Sequence, residues 1–370
     1  MTDHGGLGVS EIVREDVADL VAGFPGVGRA FSGATVLIAG GAGFLLSYLV
    51  DFFAALNDGG EQTPVRIVVL DNFTSGAPAR LAHLEQRADV AIHDVNIAQP
   101  LELEGAADYV IHGASIASPT LYRQYPIETI EANVWGTRNL LEYASERGAR
   151  SFVYLSSSEI YGDPEATSIP TPESYPGHVS STGPRACYDE SKRLGETLCV
   201  AYHQQRGVPA KMVRPFNVYG PRLSLEDGRI VPDLLRDALA GGPLRLFSDG
   251  APTRSFCYIS DAIAGILAVL LSQHQGEPFN VGNDEEISIR QLAEMMSELA
   301  PGNPGVEFET HSDPAYLVDN PNRRCPDITK SRELLGYEPR VRTREGLART
   351  LSHYASADTS VADTEVEGEA

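Results

Sequence analysis

The chain has 370 residues, 42% of them hydrophobic, enough for one large or two smaller cores in an ordinary globular protein. Its 51 acidic and 29 basic residues give a formal charge of −22, which excludes a phosphate-backbone binder and requires any anionic ligand to meet locally placed arginines. The four cysteines (Cys187, Cys199, Cys257, Cys325) lack CxxC spacing, and no apolar run approaches the roughly 18 residues that span a membrane, so a cytoplasmic protein without metal, nucleic-acid or membrane partners is expected.

The first amphipathic segment, 9–21, predicts a helix packed on the domain or on a partner subunit. From Thr35 short β-branched runs alternate with helix-period segments. Strands are predicted at 35–40, 66–71, 88–94, 108–114, 151–157 and 210–215, and helices at 127–148 and 187–207, each ending in glycine. This alternation predicts an α/β fold: a Rossmann-like, doubly wound parallel sheet. After Pro215 the rhythm changes to short strands and loops, with helices expected at 261–273 and 287–299. The expected division is an N-terminal extension (1–33), an NAD-binding Rossmann domain (34–216) to which 256–280 returns, and a smaller C-terminal α/β lobe (217–255 and 281–354). The last stretch, 355–370, is acidic, rich in small residues and free of aromatics, so it is expected to stay disordered.

AGGAGFLLS (39–47) follows the first strand and opens the next helix, the context a dinucleotide fingerprint requires. Gly40 and Gly43 would permit a tight turn and close approach to a diphosphate, with Phe44 and Leu45 at the helix N-terminus. The third glycine of the spacing is replaced by Leu46, so either the helix sits farther out or its neighbours are smaller. Asp71, with Asn72, ends the second strand, where a carboxylate can accept from a ribose diol and favour NAD over NADP. A plain turn aspartate is the alternative. Asp94 and Val95 end the third strand and could border the adenine.

SSSEIYGDP (156–164) ends the fifth predicted strand, at the sheet edge where ligands bind in such folds. One loop later Tyr188 stands four residues before Lys192. A YxxxK match alone is weak, because i,i+4 neighbours occur on every helix. Its chain order after a glycine turn and a serine-rich strand end gives it meaning. A phenol pKa is near ~10, so a phenolate near neutral pH needs a shift of roughly three units, about 4 kcal/mol. Lys192 and an oxidised nicotinamide are two cations that could supply it, and Ser157 could hydrogen-bond the reacting hydroxyl.

Residues 156–164 and 175–193, RPFNVYGPR (214–222), DGRIVPDLL (227–235), PTRSFCYISD (252–261), FNVGNDEE (279–286) and RRCPDITKS (323–331) together resemble the extended short-chain dehydrogenase/reductase family acting on nucleotide sugars, from about Ala34 to His353. Within it, the chain is most similar to the branch that decarboxylates UDP-glucuronate to UDP-xylose. The resemblance implies an NAD-dependent enzyme with catalytic Tyr188, Lys192, Glu159 and Ser157. It implies sugar-nucleotide contacts from Tyr122, Arg185, Asn217, Arg254 and Arg324, with Arg254 ranked ahead of Arg324. The partner would be a nucleotide sugar, a UDP-linked sugar acid, and the helices at 127–148 and 187–207 would pair two subunits into a homodimer. The 4,6-dehydratases carry Asp-Glu where this chain has Ser158-Glu159. Alternatives are a UDP-glucuronate 4-epimerase, another epimerase or 4,6-dehydratase, or a non-enzymatic NAD-binding scaffold or sensor.

Overall fold

The computed structural model describes residues 9–60, 62–309 and 321–366. The first eight residues of the expected extension, residues 310–320 of the expected lobe and the last four of the expected tail lie outside the described residues. Helices α1 (Glu11–Gly23) and α2 (Val27–Phe31) precede the first strand. Strands β1 (Thr35–Ala39), β2 (Arg66–Asp71), β3 (Val90–Asp94), β4 (Tyr109–His112), β5 (Ser151–Leu155) and β6 (Ala210–Pro215) then form a parallel sheet in the spatial order β6-β5-β4-β1-β2-β3. A seventh strand, Pro278–Val281, adds parallel to the β6 edge. The order reverses between β1 and β4, which opens a crevice at the strands' C-terminal ends.

Helix α3 (Phe44–Asp58) links β1 to β2. Between β4 and β5 lie α4 (Pro119–Gln124), α5 (Pro126–Glu131) and α6 (Thr137–Arg147), and α7 (Ala186–Arg206) leads into β6. Sheet and helices share cores of buried Val, Ile, Leu and Phe side chains on both faces. The single helix expected at 127–148 is instead interrupted by a π-turn, Ala132–Gly136. There the Thr137 hydroxyl donates to the Asn133 carbonyl at 2.6 Å, while the Asn133 amide reaches Ser191 on α7 at 2.9 Å. These side-chain bonds compete with the regular backbone ladder.

The C-terminal part contains α8 (Ile230–Leu239), α9 (Ile259–Leu271) and α10 (Ile289–Leu299), the last opened by a Ser288–Gln291 capping box. A three-stranded patch joins Glu286–Ser288, Thr253–Ser255 and Arg323–Arg324. Two final helices, α11 (Thr329–Leu335) and α12 (Thr343–Val366), close the chain. Helical backbone therefore runs on to Val366, into the stretch where a disordered tail was expected.

Helix α1 packs against α3 and α9. Its buried Asp16 accepts from Tyr48 on α3 at 3.3 Å, from Tyr258 at 2.8 Å and from Arg349 on α12 at 2.8 Å. Helices α1 and α12 are thus fastened to each other through Asp16 and Arg349. Among the described residues no helix is long and apolar enough to cross a membrane.

Candidate active site

The glycine turn sits at the crevice. Gly40 has φ +88°, and a Cβ there would lie 2.5 Å from the Ala114 nitrogen, so only glycine fits. Gly43 caps α3 in extended geometry and donates to the Gly40 carbonyl at 3.0 Å. Leu46 finds its room at Gly113: a Cβ at Gly113 would stand 2.7 Å from Leu46 Cδ1. The missing glycine on the helix is therefore answered by a glycine at the end of β4, and the helix stays close to the sheet.

A cavity of about 380 Å³ is lined by Gly40, Gly43, Phe44 and Leu45 on one side and by Ser157, Tyr188 and Lys192 on the other. A smaller one, about 150 Å³, shares Gly40 and Gly43 and ends at Asp71, Asn72 and Val95. Asp71 accepts from the Ala42 N–H at 2.9 Å and the Phe73 N–H at 2.8 Å; burial pushes its carboxyl up despite these bonds. Each oxygen retains acceptor capacity for a ribose hydroxyl. Asp94 is exposed and is not part of this wall; Val95 and Asn96, just after β3, line it instead.

Tyr188, near the start of α7, is buried and stacked on Tyr122 of α4, with ring centres 5.2 Å apart. Lys192 lies one turn later, its Nζ donating to the Leu155 carbonyl at 2.7 Å and standing 5.7 Å from the Tyr188 ring centre. Burial raises the Tyr188 phenol to about 12, against a hydrogen bond from Ser157 that lowers it. Burial also depresses Lys192 to about 7. An ammonium about 6 Å away is worth roughly 3 kcal/mol at an effective dielectric of ~20, some two pKa units. Lys192 alone therefore falls short of the shift the phenolate needs.

Beyond Tyr122 opens a third cavity, about 340 Å³, which shares Glu159, Arg185, Asn217 and Arg229 with the 380 Å³ one. Glu159 stands in their common wall, ion-paired to Arg185 at the α7 N-cap and to Arg324. Burial opposes its ionisation, but Arg185, Arg324 and Arg254 outweigh it and hold the carboxyl well below the usual range. Arg254 and Arg324 are register partners on adjacent strands, so they share a face. Arg254 donates to the Thr253 carbonyl at 2.8 Å and forms no ion pair among the described residues, while burial lowers it to about 10. Asn217, at φ +38°, donates to the Ser255 carbonyl at 2.8 Å and borders both cavities.

Sequence reasoning missed Arg229, which pairs with Asp227 and faces both cavities. Its signal lies within DGRIVPDLL, where a basic residue stands two positions after an acidic one and before an apolar run. It also missed Arg80, buried beside the glycine turn.

The NAD dependent epimerase/dehydratase family model matches residues 36–282, and the chain belongs to that family. It is 40% identical to UDP-glucuronic acid decarboxylase 1 of Arabidopsis thaliana, over 89% of this chain and 71% of that one. Identity to UDP-glucuronic acid decarboxylase 1 of Xenopus tropicalis is also 40%, over 86% and 72% of the two chains. Among solved structures it is similar to UDP-glucuronic acid 4-epimerase from Bacillus cereus in complex with UDP-glucuronic acid and NAD, with TM-score 0.71, 27% identity, and 87% and 99% coverage. The cradle fits the family's cofactor: the buried Ser115 and Ser156 hydroxyls on the cavity wall lack hydrogen-bond partners among the described residues.

Proposed function

We propose that the chain converts UDP-glucuronate to UDP-xylose and carbon dioxide, with Tyr188, Lys192, Ser157 and Glu159 as its catalytic residues. The carrying observation is the shared wall: Glu159 and Arg185 border the two cavities at the point where Tyr188 faces the dinucleotide cradle, and Arg324 pairs with Glu159 from the 340 Å³ side. The decarboxylase relatives support the substrate, and Ser158 before Glu159 separates the chain from the dehydratase pattern.

Bound NAD supplies a positively charged ring and reversible oxidation at the sugar C4. Gly40, Gly43, Phe44 and Leu45 would hold its diphosphate and Asp71 its ribose. Tyr188 takes the proton of the 4-hydroxyl, which Ser157 orients. The resulting ketone is β to the C5 carboxylate, so the electrons of the breaking C–C bond pass into an enolate that Tyr188 and Ser157 stabilise. Protonation at C5 and reduction at C4 complete the pentose. Glu159, fully ionised between arginines, holds Arg185 and Arg324 at the sugar and leaves Arg254 to meet an anionic group. Neutralisation by these arginines argues against a role in repelling the substrate carboxylate.

Two subunits are proposed to pair through α5–α7. Ile127 (61% exposed), Trp135 (50%) and Leu194 (45%) leave an apolar strip on those helices. The 4-epimerase reading shares the ketone but returns the carboxylate. Weighing the product formed from UDP-glucuronate separates them: loss of carbon dioxide is expected, and an isomer of unchanged mass would favour epimerisation.

A further inference from the structure

The short turn after β2 carries Arg80, whose side chain is only 4% exposed. Its Nη1 donates to the Ala42 carbonyl within the glycine turn at 2.8 Å. Nε and Nη2 donate to the Arg222 carbonyl at 3.3 and 3.0 Å. Other buried arginines have carboxylates in contact: Arg222 with Asp51 at 2.7 Å and Arg214 with Glu196 at 2.6 Å. Arg80 has none in contact among the described residues: Asp71 and Asp227 attract it only from farther off, and Arg222 adds like charge beside it. A buried cation with no counter-ion in contact is costly unless a ligand completes it.

Arg80 lines the 380 Å³ cavity with Gly40, Gly43 and Phe44, and is absent from the wall of the 340 Å³ sugar cavity. We infer that Arg80 positions the cofactor's diphosphate, supplying the positive charge that the glycine turn and the α3 N-terminus provide only in part. The same guanidinium holds the Arg222 carbonyl, next to Leu223, which faces both cavities. Diphosphate engagement is thereby braced against the sugar side. The assignment rests on the cofactor reading of this cavity.

The test compares calorimetric affinities of ADP-ribose, which carries the diphosphate, and adenosine, which does not, for full-length protein freed of bound cofactor. In R80Q the ratio of the two affinities is expected to fall at least about tenfold, the range of a lost charge-assisted bond. R80K retains the charge without the planar fork and is expected to lower the ratio by about threefold. Should R80Q not fold, the R80K ratio decides. An unchanged ratio, including equal weakening of both probes, would make Arg80 a brace between carbonyls and overturn the inference. A parent protein that binds no ADP-ribose would overturn the cofactor reading as well.

Discussion

The cofactor crevice and the sugar chamber share a wall yet are built by different means. The crevice is assembled from strand ends of one parallel sheet, and its polar groups are hydroxyls, backbone N–H groups, the buried Asp71 and the buried cations Arg80 and Lys192. The chamber draws its charge from separate places: Arg185 at a helix cap, Arg254 and Arg324 on two short strands, converging on Glu159. Local geometry makes the first site; long-range electrostatics makes the second. The same division tells which substitutions should harm chemistry and which should harm architecture.

The largest effect is expected where the two regions meet. Tyr188→Phe removes the proton acceptor while leaving the Tyr122 stack, so turnover should fall by roughly 10²–10⁴, the usual worth of a positioned acid–base group. Bound NAD, measured by absorbance of the denatured supernatant, should be unchanged. Ordinary turnover by this variant would break the proposed division of labour.

Glu159→Gln tests the chamber. Removing this carboxylate from a part-buried ion cluster strips Arg324 of its ion pair and leaves Arg185 with the more distant Asp189 at 3.8 Å, and a loss of about 3 kcal/mol in denaturant unfolding is expected along with lost decarboxylation. The pH dependence has a definite sign. Because the folded carboxyl is depressed, its stabilisation is present above the unfolded value of roughly 4.3 and lost as pH falls below it. The variant should lack that acid-side loss. A variant that decarboxylates at the parental rate would remove Glu159 from the chemistry.

The smallest effect belongs to the crevice's architecture. Gly113→Ala should be destabilising in the parent, where Leu46 and Leu155 occupy the space, and milder in a Leu46→Ala background, where Leu155 alone remains in the way. A double-mutant cycle should give a coupling of about 1 kcal/mol. Additivity within error would mean that Leu46 and Gly113 do not compensate each other.

The pattern of legibility follows the same contrast. Strand and helix alternation marks β1 to β6, and Gly40, Gly43 and Asp71 stand where the motif rule places them, because adjacent residues make that geometry. Spacing could not show that Gly113 answers Leu46, since the two are 67 positions apart in sequence and meet only across the helix–sheet seam. Nor could it show Glu159 held by Arg324, 165 residues away. Asp94 is exposed and does not border the cavity that Val95 lines, a distinction that spacing alone does not carry. Arg80 and Arg229 carried no periodic signal at all; burial beside a cavity is a property of the folded chain.

The internal oxidation and reduction at one sugar carbon is most directly tested with UDP-glucuronate deuterated at C4. If a single enclosed carrier opposite Tyr188 serves both steps, the UDP-pentose will keep the deuterium at C4 when unlabelled NAD is present in excess. A product carrying protium at C4, or one that still holds its carboxylate, would contradict the account.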